Sequence, residues 1–289
     1  MKTKTFLYLF FITILLTTAC KKTETEYYPE TAKTLVIVSD NDPGSDIIVD
    51  ILGAVRSANP DFQVQYFQAK AFDVFEGSYL LSVAMMNYPK GTYIAGIVEP
   101  GASGKRIVFK AGDQFILAPD NMLSTRILND YPSTQCYYIE NPQVLGGALP
   151  KDLSFEEFYK RAILAMISGT PVSSFGPVCT NPLKFEVQDP VISGDTIKGE
   201  VLFTDNFGNC ITNITAGLLT NIPTGSVLNL TCDTTHLAIT MGVAYSSVPV
   251  GDNVCFINSS KRLELAVNYG NFSGKYLIGA SSKIKLRKQ

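Results

Sequence analysis

The first half of the chain alternates short apolar runs with amphipathic segments. The run "LVIVS" (35–39) has the continuous apolar character of a strand that is buried on both faces. The apolar residues that follow recur at the spacing of one helix face: Ile47, Ile48, Ile51, Leu52 and Val55. Further helical patterns cover 73–87 and 155–166, with strand-like runs between them. This alternation predicts an α/β domain with a mostly parallel sheet, which we place at residues 34–181.

Helical periodicity stops near Pro182. Beyond it, short β-like segments are separated by turns rich in Gly, Asn, Asp and Ser. These segments are "KFEVQ" (184–188), "TIKGEVLFT" (196–204), "SVLNLTC" (226–232), "NVCFIN" (253–258), "LELAVN" (263–268) and "KIKLR" (283–287). The stretch "ISGDTI" (192–197) is typical of a hairpin connection. The pattern predicts a smaller all-β domain over residues 182–289, built as a barrel or a sandwich.

The first twenty residues have the pattern of an export signal. Lysines precede an apolar run (6–16), which is too short to span a membrane, and the segment ends at Cys20. The ending "LTTAC" resembles a bacterial lipobox, which implies a lipidated Cys20, and the polar residues 21–33 are typical of a tether. We therefore expect an exported protein, lipid-anchored in the bacterial cell envelope (periplasm or outer membrane). The alternative is an ordinary cleaved signal with an incidental cysteine.

Composition narrows the possible functions. The net charge of −2 over 289 residues provides no basic field, so nucleic-acid binding is not expected. A catalytic triad or a multi-histidine metal site would need the one histidine, His236. The cysteines after Cys20 have no CxxC spacing, so we expect no thiolate metal site, and one or two disulfides are possible in an exported chain. We expect no metal and no cofactor.

Four polar loops carry the candidate chemistry: "SDNDPGSD" (39–46), "VEPGASGKR" (98–106), "APDNM" (118–122) and "FTDNFGNCITNI" (203–214). In an open α/β sheet, ligands bind beyond the carboxyl ends of the strands, where the first three loops are expected. The first loop has three possible uses. Its alternating carboxylates suit a calcium ion, one aspartate suits the two hydroxyls of a ribose, and Asp42 or Ser45 suits a helix cap.

Two families resemble this chain. The stretch "DNDPGSD" (40–46) resembles the calcium- and ribose-binding DxDPGxDD loop of nucleoside hydrolases, but Ile47 replaces the last acid and no later segment fits. The broader resemblance is to the S-adenosylmethionine hydroxide adenosyltransferases, relatives of the fluorinase and chlorinase enzymes. It covers nearly the whole chain after the signal through five ordered blocks: "VSDNDPGSDIIVDILGAV", "FDVFEGSYLLSVAMMNYPKGTYIAGIVEPGASGKR", "FILAPDNML", "FTDNFGNCITNI" and "INSSKRLELAVNYGNF".

The broader resemblance implies a fold and a reaction. The family has an α/β N-terminal domain, a barrel-like C-terminal domain and commonly a homotrimer with sites between subunits. Adenosine binds between the domains, and water attacks C5′ of S-adenosylmethionine to release adenosine and methionine. A sulfonium is a good leaving group, so the protein has only to position the substrate and orient a water molecule.

The resemblance also implies which residues bind the substrate: Asp40, Asp46, Asn121, Asp205, Asn209 and Ser260. Asp40 matches the ribose-binding aspartate, and a one-residue insertion makes Asp42 an alternative. Asp205 and Asn209 match the acid and amide of the D-x-FGN signature, which contact the amino-acid or adenine part of the ligand; otherwise they are turn residues.

The catalytic set departs from the family. Its Asp–Arg–His set corresponds here to Glu99, Arg106 and Glu156, and the F-H-G-R-D motif has become "SFEEFYKR". Ser154 and Glu157 fit a helix capping box instead. Glu99 and Arg106 could also pair with each other, which would weaken Glu99 as a base.

These departures leave three hypotheses for the function. The protein is an S-adenosylmethionine hydrolase with an altered catalytic set, or an exported lipoprotein that binds a nucleoside-like ligand or a partner without turnover, or a nucleoside hydrolase-like glycosidase.

Overall fold

The computed structural model describes residues 33–99, 101 and 104–288. The signal peptide, Cys20 and all but the last residue of the tether lie outside this part of the chain. The helices and strands of the first domain are β1 (Thr34–Ser39), α1 (Asp46–Ala58), β2 (Gln63–Gln68), α2 (Val74–Asn87), β3 (Tyr93–Ile97), β4 (Arg106–Ala111), β5 (Gln114–Pro119), α3 (Thr125–Asp130), β6 (Cys136–Tyr138), α4 (Phe155–Ile167) and β7 (Val178–Cys179).

The first domain is a seven-stranded sheet in the order β2-β1-β3-β5-β4-β6-β7. The strands β2, β1, β3 and β5 are parallel, and β4, β6 and β7 add an antiparallel edge. Alternate residues of β1 pack on opposite faces, Leu35 beneath α1 and α4 and Val36 beneath α2 and α3. The mostly parallel α/β domain is therefore confirmed.

The second domain is a closed seven-stranded β-barrel. Its elements are β8 (Val191–Ser193), β9 (Thr196–Thr204), β10 (Cys210–Thr215), β11 (Val227–Cys232), β12 (Thr235–Met241), β13 (Asn253–Ile257), β14 (Arg262–Val267), α5 (Phe272–Tyr276) and β15 (Lys283–Lys288). The sheet runs β10-β14-β13-β12-β11-β15-β9, and pairing of β9 with β10 closes it. The predicted hairpin is confirmed, since β8 pairs with β9 across the two-residue turn Gly194–Asp195.

The predicted strand "KFEVQ" (184–188) is wrong. No described strand includes these residues, which lead from the first domain to the second. Two backbone N–H groups, one just before the segment and one within it, bond to side chains of the first domain: Leu183 to Asp120 Oδ1 at 2.8 Å and Phe185 to Thr125 Oγ1 at 3.2 Å. Because these donors are already used, the segment is a linker fixed on the α/β domain.

The α2 helix lies between the sheet and the barrel and is therefore buried on more than one side. Tyr79 packs on Phe203 of β9 with ring centroids 5.7 Å apart. Beside this contact, the fully buried Glu200 of β9 pairs with Arg126 of α3 at 3.4 Å and with Lys283 of β15. The two domains thus share an apolar contact and a buried charge cluster.

The cysteine side chains carry no disulfide in the described residues. Cys136, Cys179, Cys210, Cys232 and Cys255 are all free and buried. The last three pack among the apolar residues inside the barrel, where burial raises the pKa of the thiols and keeps them protonated. The possible disulfides are therefore not present. No helix within the described ranges has the length and apolar character needed to cross a membrane.

Candidate functional site

The first cluster of candidate residues lies where β1, β2 and β3 end. Asp40 follows β1, and its Oδ2 accepts hydrogen bonds from the backbone N–H groups of Phe72, at 3.1 Å, and Glu99, at 3.2 Å. Both donors have left-handed backbones, with φ of 62° and 43°. One oxygen of Asp40 therefore joins three loops, while Oδ1 has no partner among the described residues and is available to a ligand.

Asn121 joins its own loop, residues 118–122, to this cluster. Its Nδ2 donates to the carbonyl oxygens of Val98 and Glu99, each at 3.0 Å, and its Oδ1 accepts from Leu123 N. The side chain is buried and its polar atoms are used within the protein. Asn121 therefore positions the loop after β3, and its sugar contact stays a prediction.

Met122 follows Asn121 with a φ of 77° and a 40% exposed side chain. This left-handed conformation is one that glycine adopts without strain and that costs other residues about 1–2 kcal/mol. The strain lies directly beside the candidate site.

The predicted catalytic residues are not joined to one another. Arg106 lies on β4 opposite the end of β5, and its guanidinium packs over the Phe158 ring of α4, 4.7 Å from the centroid. Its Nη1 donates to Gly104 O, and no ion pair with Glu99 or Glu156 is present in the described chain. The suggested Glu99–Arg106 pairing is therefore wrong, and Glu156 is exposed on the first turn of α4.

The residues that stand in place of the family motif form the start of α4. Ser154 Oγ accepts from the Glu157 N–H at 3.2 Å, which is one half of the predicted capping box. The Glu157 carboxylate pairs with Lys160 and Arg161 instead of returning to the cap, and these partners lower its pKa. The residues that replaced the motif thus stabilise the start of the helix.

The second cluster lies in the barrel, in the turn between β9 and β10. Asp205 Oδ1 accepts from the N–H groups of Phe207 and Asn209, each at 2.9 Å, and Oδ2 accepts from Asn209 Nδ2 at 2.9 Å. Asp205 therefore fixes the turn, and Asn209 is held by it.

A chain of hydrogen bonds extends from this turn across the barrel. Asn209 Nδ2 lies 3.3 Å from the Tyr245 hydroxyl, which donates to the buried Glu264 Oε1 at 2.6 Å. Glu264 Oε2 accepts from Asn258 Nδ2, and Asn258 Oδ1 accepts from the backbone N–H of Ser260. The exposed Ser260 is thus connected to Asn209 through side chains, although its hydroxyl has no part in the chain. Burial and the Glu264 carboxylate raise the pKa of Tyr245, which stays a neutral donor.

Asn209 opens onto a cavity of about 620 Å³, and the described residues that line it belong to the barrel domain. Tyr245, Val267 and Asn268 also line it, together with Phe207 and Tyr269, which are 78% and 93% exposed. The volume lies in the range of small-molecule sites, and the mixture of aromatic rings and two fixed amides, Asn209 and Asn268, suits a flat heterocycle.

The remaining acids of the first loop do not form a cation site. Asp42 and Asp46 are exposed, and Asp46 is the first residue of α1. Ser45 is the N-cap of α1, but its Oγ makes no capping hydrogen bond. Within the described ranges, no group of three or more His, Cys, Asp and Glu side chains is arranged to hold a metal ion. His236 is exposed on β12 and bonds with Thr231.

Comparison with known proteins assigns the family. The model of the SAM hydroxide adenosyltransferase N-terminal domain matches residues 25–176, and that of the C-terminal domain matches residues 199–285. The chain belongs to the SAM hydroxide adenosyltransferase family. The first domain alone matches more than half of the 289 residues, so the assignment replaces the nucleoside hydrolase resemblance.

Curated relatives belong to two kinds of enzyme. A protein of Thermus thermophilus named (R)-S-adenosyl-L-methionine hydrolase is 28% identical over 74% of this chain and 82% of its own. A fluorinase of Nocardia brasiliensis is 22% identical over 88% of this chain and 96% of its own. The fold is also similar to a solved structure of an uncharacterized conserved protein from Thermotoga maritima, with a TM-score of 0.76, 23% identity and coverage of 88% of this chain and 99% of that one.

Several residues of the site were not predicted from the family blocks. Tyr245 and Glu264 connect Asn209 to the β13–β14 turn, and Phe207 and Tyr269 form the cavity walls. Phe207, Glu264 and Tyr269 lie inside the matched blocks, whereas Tyr245 lies in a 3-10 helical turn (Tyr245–Ser247) outside them. An aromatic residue at an exposed turn was the available signal for Phe207 and Tyr269, since exposed aromatics are common at binding sites.

Proposed function

We propose that this protein is an S-adenosylmethionine hydrolase that forms adenosine and methionine. The observation that carries the proposal is the Asp205–Asn209 turn, which holds one amide at the wall of a 620 Å³ aromatic cavity. The family match over both domains and the hydrolase names of the relatives support it.

The reaction needs little covalent chemistry from the protein. The oxygen of a water molecule forms a bond to C5′, the C5′–S bond breaks, and its electron pair stays on sulfur as the thioether of methionine. The water loses a proton, so the protein has to orient the water and the ribose. Asp40 Oδ1 holds the ribose hydroxyls, and the barrel cavity holds the adenine.

Water activation uses Arg106 and Glu99 more than Glu156. Arg106 is fixed against the Phe158 ring at the edge of the sheet where the Asp40 cluster lies, and Glu99 is fixed through its backbone N–H to Asp40. Glu156 is exposed, with no hydrogen bond or ion pair to either of these residues. Arg106→Ala is therefore expected to lower the rate far more than Glu156→Gln, and the reverse order would assign the role of the family histidine to Glu156.

The complete site needs a second copy of the chain. No described residue of the α/β domain lines the cavity of the barrel, and Phe207 and Tyr269 at the cavity are exposed. Phe72, beside Asp40, is also 76% exposed. A homotrimer in which the barrel cavity of one copy meets the Asp40 cluster of the next would cover these rings and join the two half-sites. Export and lipid anchoring through Cys20 are part of the same proposal.

The direct test is to incubate the purified protein with each sulfonium epimer of S-adenosylmethionine and to follow adenosine by chromatography. Both epimers are needed because the relatives are named for the (R) form. Adenosine is expected above the spontaneous rate, reduced in Asn209→Ala and unchanged in His236→Ala, whose side chain is exposed on the barrel. No adenosine at high protein concentration with either epimer would refute the proposal.

The second candidate is nucleoside binding without turnover. It is favoured by the exposed Glu156 and by the absence of an ion pair around Arg106 in the described residues. A saturable thermal shift with adenosine, without product from either epimer, would support this function.

A further inference from the structure

A second cavity lies at the boundary of the two domains, apart from the residues of the candidate site. It has a volume of about 240 Å³ and is lined by residues of α2, α3, the interdomain linker and the barrel. Arg126 and Arg262 enter its wall from different domains, together with Tyr79 and Asn213. Two guanidinium groups in one small cavity are unusual, since like charges repel and buried arginines normally have carboxylate partners.

Arg126 is the more buried of the two arginines. Its side chain is 10% exposed and its guanidinium packs over Phe75 and Phe185, 4.5 and 5.5 Å from the ring centroids. Only Nη2 has a hydrogen-bond partner, Glu200 Oε1, and Nε is buried with none in the described chain. Burial lowers the pKa of Arg126 and Glu200 raises it, so the group is a cation with unused donors.

Arg262 has no countercharge of its own. Its guanidinium forms neither an ion pair nor a hydrogen bond with any residue in the described ranges. Glu200 is shared between Arg126 and Lys283, and the nearby Glu264 is bonded by Tyr245 and Asn258. Arg262 therefore lies at this boundary without a paired carboxylate among the described residues.

Tyr79 lines the same cavity as the two arginines. Burial raises the pKa of its hydroxyl, and the positive charges of Arg262 and Arg126 lower it. The hydroxyl remains neutral and has no hydrogen-bond partner among the described residues, so it can donate to the same acceptor as the guanidinium groups.

We propose that this cavity is a binding site for a small oxyanion, held by Arg126, Arg262 and Tyr79. Guanidinium forks match the spacing of oxygens in phosphate, sulfate and carboxylate groups, and each group here has N–H donors without partners. The volume is below the usual range of drug-sized ligand sites, so the occupant is a small anion or a single anionic group.

Two acids at the cavity do not provide the missing countercharge. Asp130 and Asp189 line the cavity but are exposed, and neither pairs with an arginine in the described chain. Their repulsion of an anion acts through solvent and is screened by salt, whereas the guanidinium groups contact the anion directly.

An anion at this position would connect the two halves of the candidate site. Arg126 belongs to the helix after the Asn121 loop, and Arg262 begins the strand after the Ser260 turn. Binding is therefore expected to stabilise the folded protein and to fix the relation of the two domains.

The test is a titration of the purified full chain with inorganic phosphate, sulfate and acetate, at constant ionic strength set with chloride. We expect saturable heat in calorimetry and a rise in the melting temperature with at least one oxyanion, and the order of affinities distinguishes a tetrahedral from a carboxylate ligand. Arg262→Gln should weaken this binding about tenfold or more, because one charged donor pair is lost.

Matched variants separate the site from general charge effects. Arg262→Lys should retain part of the affinity, and Arg56→Gln, on the exposed surface of α1, should leave it unchanged. Tyr79→Phe keeps the ring that packs on Phe203 and should weaken binding through the hydroxyl alone. No saturable binding of any oxyanion, or equal binding in Arg262→Gln, would overturn the proposal, whether or not the protein hydrolyses S-adenosylmethionine.

Discussion

Substitutions of Asp40 can separate its contribution to folding stability from its contribution to ligand binding. Its Oδ2 accepts two backbone N–H groups, at 3.1 and 3.2 Å, while Oδ1 has no partner among the described residues and is the oxygen we assign to a ribose. Asp40→Asn keeps an oxygen for the two N–H groups and places an amide donor where the ribose needs an acceptor. Asp40→Ala removes both oxygens and frees Phe72 and Glu99, whose left-handed backbones these bonds stabilise.

The expected magnitudes differ between the two variants. A hydrogen bond to a charged group contributes about 1.5–3 kcal/mol, and partial exposure of Asp40 reduces this, so Asp40→Ala should lose about 2–4 kcal/mol of folding free energy. Asp40→Asn should lose about 1 kcal/mol or less, because both bonds persist to a neutral acceptor. For adenosine binding, both variants should lose about 1–3 kcal/mol, which is roughly five- to 150-fold in Kd.

Urea denaturation measures the first quantity and calorimetry with adenosine the second. The fold of Asp40→Asn is expected to be nearly intact. Weaker adenosine binding by this variant would therefore show that Asp40 contacts the ligand. An unchanged Kd in this variant would refute the ribose contact and leave Asp40 as a residue that only joins loops. Equal stability of the Ala and Asn variants would refute the argument from Oδ2.

Three further substitutions test the framework around the site. Glu200→Gln leaves the buried Arg126 without its carboxylate and should lower the free energy of unfolding, measured in urea, by about 3 kcal/mol. The control Asp195→Asn breaks an exposed ion pair and should lower it by less than about 1 kcal/mol. Equal effects of the two substitutions would contradict the burial argument. Burial raises the pKa of Glu76, so its protonated form favours folding below the ordinary value of 4.5 and that contribution is lost as the pH rises through the raised value. Glu76→Gln should therefore melt at a higher temperature than the parent at neutral pH and show no such gain below pH 4.5, and a gain at every pH would rule out titration as the cause. Met122→Gly relieves a left-handed backbone and should raise stability in urea by up to about 1 kcal/mol after the entropy of glycine is subtracted; a loss would mean that the methionine side chain matters more than its φ.

Local patterns predicted the elements whose partners are close in the chain. The helix from Phe155 to Ile167 follows from its apolar stripe, and the hairpin around Gly194–Asp195 follows from its turn residues. The segment 184–188 has the same alternation as a strand, but the N–H groups of Leu183 and Phe185 bond to Asp120 and Thr125 in the first domain. Alternation of apolar and polar residues indicates an extended backbone. It does not show whether the backbone N–H groups bond to a neighbouring strand or to side chains.

The sequence predicted the part of the candidate site in which motif residues bond to the backbone of their own turn. Asp205 fixes its own turn through contacts two and four residues away, which a motif can contain. The link from Asn209 to Tyr245 spans 36 positions and the link from Tyr245 to Glu264 spans 19, so neither follows from local spacing. The cavity exists because the closed barrel brings the turns of Asn209 and Tyr245 together with the end of β14.

The structure supports the binding residues of the site more fully than the residues proposed for catalysis. Asp40 and Asn121 each have two hydrogen bonds to the backbone of neighbouring loops, and Asp205 accepts two from the backbone of its own turn, so a ligand would meet fixed groups. The Arg106 guanidinium packs mainly against the Phe158 ring. Glu156 is exposed on its helix and has no hydrogen bond or ion pair with another described element. Fixed groups determine affinity, and the orientation of a water molecule determines the rate. The difference between this chain and its hydrolase relatives should therefore lie in kcat and much less in KM, which steady-state kinetics of the two proteins side by side would measure.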